Sequence, residues 1–80
     1  MFSLSAADNV CPPAYYLLEA QGYQIRYSAK SDLWTAEKEE VQLVAHDVIQ
    51  LCGLAYIYDH KGENWTVSDE QIEAYLKLDE

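Results

Sequence analysis

The chain has 80 residues and carries 14 acidic against 5 basic side chains, which gives a formal net charge of −9. A chain of this length folds as one domain, here residues 1–80, and so acidic a surface repels nucleic acids and anionic membranes. We therefore expect neither nucleic acid nor membrane as a partner, and the apolar fraction of 50% excludes a disordered chain.

The first predicted element is a short helix within the segment CPPAYYLLEAQG, residues 11–22. Pro12 and Pro13 suit its first turn, where a missing N–H removes no hydrogen bond, and Gly22 suits the residue that follows a helix. Strict alternation of side chains then begins at Tyr23 and runs through the segment YQIRYSA. This period of two predicts a half-buried β-strand.

Residues 33–46 fit two interpretations. The segments LWTAEK and VQLVAH form a second and a third strand if the chain turns at Glu39–Glu40. Alternatively, apolar residues at helical spacing join this region to the next element in one continuous helix of about thirty residues, far above the mean helix length. We favour the strands, because that helix would contain Gly53 and because Asp47 is a good N-cap for a helix that begins later.

Residues 48–61 predict a helix that follows Asp47 and ends at Gly62, a residue suited to the left-handed position. In its apolar part, residues 48–58, the only strongly polar side chain is Gln50. A sheet can cover one face of such a helix, and the other face needs a second cover. In so short a chain self-association completes a core, and we favour a homodimer over a monomer that buries both faces itself.

The last predicted helix spans residues 69–78 and begins with a capping box made by Ser68 and Gln71. We expect this helix to cover part of the second face of the preceding one. Its predicted buried stripe includes Ile72, Tyr75 and Leu76.

These elements together predict an α+β domain. An N-terminal helix leads into a three-stranded antiparallel meander at about residues 23–46. Two helices, at about 48–61 and 69–78, then pack on one face of the sheet.

The sequence contains no constellation that points to catalysis, a cofactor or a metal. Glycine occurs only at positions 22, 53 and 62, which excludes phosphate-binding loops and dinucleotide fingerprints. His46 and Cys52 have no standard ligand spacing, and Asp59–His60 resembles half of an acid–base pair without a nucleophile nearby. We expect no enzymatic activity, no cofactor and no metal site.

The two cysteines, Cys11 and Cys52, are expected to be free thiols, because the segment MFSLSAADNV lacks the features of a signal peptide and favours a cytoplasmic location. Cys52 lies within the apolar helix, where an inert thiol is expected. Cys11 precedes a helix N-terminus, a position that either raises thiol reactivity or simply anchors the chain with a small apolar side chain.

Seven tyrosines and two tryptophans suit both a small core and an interface, because each joins a large apolar body to a polar tip. The leading hypothesis is a non-catalytic protein-interaction or assembly module whose partner is a protein, including a second copy of the chain. The alternative is an acidic inhibitor or immunity-type protein that caps a basic partner, because residues 31–80 carry all of the excess negative charge. The candidate contact residues are Trp34, Tyr56, Tyr58, Trp65 and Tyr75.

A series of motifs between Trp34 and Trp65 resembles short uncharacterised bacterial proteins. The series reads W-x-A-E-K, A-x-D, L-x-G-L and G-x-x-W in chain order. The resemblance implies a strand–strand–helix arrangement for this region and a bacterial cytosolic origin. It implies no activity.

Overall fold

The computed structural model describes residues 1–79. A short 3₁₀ turn at Asp8–Val10 precedes helix α1. The elements that follow are α1 (Cys11–Ala20), β1 (Gln24–Ser28), β2 (Leu33–Lys38), β3 (Val41–Ala45), α2 (Val48–Lys61) and α3 (Asp69–Leu76). This order confirms the α+β prediction, and the interpretation of residues 33–46 as part of a long helix is wrong.

Local signals set the ends of α2 as the sequence predicts. The side chain of Asp47 accepts a hydrogen bond from the backbone N–H of Gln50 at 2.7 Å and so satisfies one of the free donors of the first turn. At the other end Gly62 takes a positive φ of 61° and donates its N–H to the carbonyl of Tyr58 at 2.7 Å. A side chain at position 62 would be strained in this conformation, which explains why a glycine ends the helix.

The three strands form an antiparallel sheet in the order β1-β2-β3. Ile25, Ala36 and Leu43 lie opposite one another across the sheet, and all three point to the face that the helices cover. The hairpin between β2 and β3 turns at Glu39–Glu40, as predicted. Glu39 has a positive φ of 54° there, which is unfavourable for a residue with a side chain.

Helices α1 and α2 pack on one face of the sheet and enclose a small core. Four of its buried residues are alanines, and the largest fully buried side chains are Leu18 of α1 and Leu51 of α2. Half-buried side chains surround this centre, among them Ile25, Trp34 and Leu54. The buried residues are Ala14, Leu18, Tyr23, Ala36, Ala45, Val48, Leu51 and Ala55.

The packing of α3 differs from the prediction. Every residue of α3 is exposed, and the expected buried stripe of Ile72, Tyr75 and Leu76 is 45%, 70% and 66% exposed. The helix that packs beside α2 is α1, which contacts the face containing Cys52. Exposed residues 63–68 separate α3 from α2, so the capping box starts the last helix correctly but does not dock it.

Candidate functional site

The chain exposes far more surface than a compact subunit of its size. Its accessible surface is 6763 Å², whereas a folded monomer of 9.2 kDa is expected to expose about 4,900 Å². Its radius of gyration is 14.7 Å, against about 11.6 Å expected for 80 residues in one compact domain. The excess of about 1,800 Å² is surface that the subunit alone leaves uncovered.

An elongated groove lies where the third strand meets the second helix. We call it the β3–α2 groove, and it lies between residues 41–45 of β3 and the side of α2 that carries Gly53, Leu54 and Ile57. Two open depressions make up the groove, and both are lined by Leu54 and Ile57. The groove is therefore one continuous feature that follows β3 along its length.

The lining of the β3–α2 groove is mostly apolar, with Gln42, His46 and Gln50 as its polar residues. Within residues 1–79, no aspartate, glutamate, lysine or arginine lines either depression. Ile57 is 43% exposed there, a large fraction for a β-branched apolar side chain beside a core. Trp65 is 61% exposed and lies at the end of the groove near Val41.

The predicted contact residues do not form one cluster. Tyr58 and Trp65 lie together at the end of the β3–α2 groove. Trp34 is half-buried on the inner face of the sheet, where its ring packs against Tyr27 with centroids 5.0 Å apart. Tyr56 faces the α1 side of α2, and Tyr75 is exposed on α3.

Other apolar residues that line the groove were absent from the predicted contact set, among them Val41, Leu43, Leu54 and Ile57. For Val41 and Leu43 of β3 the signal was present in the sequence, as the uncharged run VQLVA at residues 41–45. The sequence pattern does not say whether a strand lies at the edge or in the middle of a sheet, and that position is what leaves this run uncovered.

The groups that carry chemistry in other proteins make structural contacts here. His60 lies with its Nδ1 atom 2.9 Å from the backbone carbonyl oxygen of Tyr56, and the two rings stack at 3.9 Å. The thiol of Cys52 donates to the carbonyl oxygen of Ala14 at 3.4 Å, and burial raises its pKa. Within the described part of the chain, no group of three or more His, Cys, Asp or Glu side chains is placed to hold a metal ion.

The phenol of Tyr27 donates a hydrogen bond of 2.8 Å to a carboxylate oxygen of Asp32. This bond to the neutral phenol, with the negative charge beside it, raises the pKa of Tyr27. Asp32 itself has a positive φ of 56° in the β1–β2 turn, and the bond helps to hold the turn in that conformation. This contact is therefore a support for the hairpin.

Comparisons of the chain with protein-family models, with curated proteins and with solved structures give no match. None of the helices in residues 1–79 is both long enough and apolar enough to cross a membrane. These comparisons therefore supply no function for the chain.

Proposed function

We propose that the protein is a non-catalytic interaction and assembly module that works as a homodimer in the cytoplasm, without a nucleic-acid partner. The supporting observation is the excess of about 1,800 Å² of exposed surface over that expected for a compact monomer. Obligate homodimers bury about 1,000–2,500 Å² on each subunit, and the excess lies inside that range.

The composition of the exposed surface supports the same proposal. Large apolar side chains at least 60% exposed occur at the N-terminal segment, on α1, on α2 and on α3. Large exposed apolar patches on other proteins are protein-binding surfaces, and exposed apolar side chains in this number are the material of such patches. Assembly would remove part of this area from water, and burial of apolar surface contributes about 25 cal/mol for each Å².

The test is the molar mass of the full chain, measured by light scattering behind a size-exclusion column over a dilution series. We expect twice the chain mass of 9.2 kDa at high concentration. A molar mass of one chain at every concentration up to several hundred micromolar would overturn the homodimer.

The second candidate is the acidic inhibitor that caps a basic protein partner. The observation that favours it is the surface of α3, where the exposed acids Asp69, Glu70 and Glu73 lie on the same short helix as exposed apolar residues. Such a helix can pair its acids with basic side chains while its apolar stripe is buried in a groove of the partner.

A pulldown with the full chain from its native cell, washed at low and at high salt, distinguishes the two candidates. An inhibitor complex held by opposite charges releases a basic protein in high salt, because salt screens exposed charges. A complex that contains only this chain and resists salt supports the assembly module.

A further inference from the structure

We infer that the two copies of the proposed homodimer meet at the β3–α2 groove, where β3 pairs antiparallel with β3 of the second copy. The two three-stranded sheets then become one sheet of six strands. This inference rests on the proposed function and specifies its interface.

The first observation is that β3 is an edge strand whose own five residues lack the usual protection against pairing. Proteins protect their edge strands with charged residues, prolines or bulges, because a free edge offers unpaired backbone groups to another strand. The other edge, β1, has Arg26 at its centre, with its guanidinium 3.9 Å from the carboxylate of Glu37 on the outer face of the sheet. By contrast β3, residues 41–45, contains neither a charged residue nor a proline.

The second observation is the distribution of charge, which selects a second copy as the occupant. Two chains of net charge −9 repel each other wherever their acids face one another. The groove is lined by residues without formal charge, so the paired strands themselves place no acid opposite an acid. A basic partner would find no acid in the groove to pair with its cations, and this favours a second copy over such a partner.

The third observation is the geometry that full overlap of the strands imposes. When the five residues of β3 overlap completely with their copies, Leu43 lies opposite its own equivalent on the two-fold axis. Residues 41, 43 and 45 of one copy then lie opposite residues 45, 43 and 41 of the other. The helix-covered faces of the two sheets therefore lie on the same side of the six-stranded sheet. Helix α2 consequently lies beside its own copy, and Leu54 and Ile57 gain the cover that one subunit does not provide.

The test uses the other two strand positions, Gln42 and Val44, which the same overlap places opposite each other across the interface. Both side chains are exposed on the outer face of the sheet, so charges there leave the core of the subunit intact. The variant Q42K/V44K places lysines opposite lysines, and Q42E/V44E places glutamates opposite glutamates. We expect each change to raise the dimer dissociation constant at least about tenfold.

Mixing the two variants restores attraction, because every lysine then faces a glutamate. We expect the mixture to form a heterodimer with a dissociation constant within about tenfold of the wild-type value. The matched control is Q24K/S28K, which adds the same two charges to exposed positions of the β1 edge and leaves the dimer intact. Circular dichroism of every variant checks that each subunit folds.

The outcomes separate this interface from the proposed function. A monomeric wild-type chain overturns both. A wild-type dimer that tolerates both charged variants overturns the β3 interface and leaves the assembly module standing. A dimer that tolerates these variants but dissociates when Ile72 and Leu76 are replaced by glutamate assigns the interface to α3 instead.

Discussion

Replacing Leu51 by alanine tests whether the small core beneath α2 holds the subunit together. Leu51 is 0% exposed, and the buried residues around it in the core include Ala36, Ala45 and Ala55. These short side chains cannot extend into the space that a removed leucine leaves. We therefore expect a cavity that stays open and a loss of about 3–4 kcal/mol in the free energy of unfolding, within the range known for buried leucines.

This loss is large for so small a chain. A domain of 80 residues has a total stability of about 4–12 kcal/mol, so the change removes a quarter of it or more. In a domain of this size each kcal/mol shifts the melting temperature by about 4–8 °C. The expected decrease in melting temperature is therefore at least about 12 °C.

The assay is urea unfolding followed by far-ultraviolet circular dichroism, with all variants at the same protomer concentration because assembly adds to stability. The matched control is Leu76→Ala, the same substitution on α3 at a position that is 66% exposed. We expect this control to change the free energy of unfolding by less than about 0.5 kcal/mol. Equal losses for the two variants would refute the reasoning, because they would require α3 to be packed like α2.

Three further predictions concern a helix cap, a turn and a buried phenol. Asp47→Ala removes the cap of α2 and should lower the free energy of unfolding by about 1 kcal/mol. Ser68→Ala removes the cap of the exposed α3 and should lower only the helical circular dichroism signal. A larger loss of unfolding free energy for Ser68→Ala than for Asp47→Ala would count against an undocked α3. Glu39→Asn should raise the free energy of unfolding in urea by about 0.5 kcal/mol, because asparagine tolerates the positive φ of this turn better than glutamate does, and a decrease would show that the turn is not strained. Burial, together with the negative charge of Asp59, raises the pKa of Tyr23 above 10.0 in the folded state, so its contribution to stability is full below pH 10 and is lost as the pH rises further. Tyr23→Phe should therefore flatten the decrease in stability between about pH 10 and 12, and an unchanged slope would contradict this assignment.

Most of the fold could be predicted because its signals are local. The alternation that begins at Tyr23 continues in β1, and Asp47 separates β3 from α2 with an N-cap that the structure contains. Gly62 ends α2 at the predicted residue. Each of these signals depends only on residues that are close together in the sequence, and a sequence pattern determines backbone conformation over that short range.

The docking of α3 could not be predicted, because it depends on contacts far apart in the chain. The capping box of Ser68 and Gln71 correctly indicates where a helix begins, but a cap carries no information about which surface the helix meets. The apolar spacing of Ile72 and Leu76 indicates a face that needs cover, and in the subunit that face is exposed. The same pattern is compatible with a cover from another chain.

The groove escaped prediction for a related reason. The run VQLVA at 41–45 reads as a strand wherever that strand lies in the sheet. Its exposure follows from the strand order, in which β3 pairs with β2 alone among the described residues. The aromatic residues chosen as contacts were spread over several elements, and only Tyr58 and Trp65 lie at the groove.

Hydrogen–deuterium exchange of the wild-type chain at low and high protein concentration tests most directly whether a second copy covers the β3 edge. We expect the backbone amides of residues 41–45 to exchange more slowly at high concentration, because the outer amides of the strand gain partners, while those of α3 exchange fast at both concentrations. Protection that rises in α3 and stays unchanged in β3 would contradict the account.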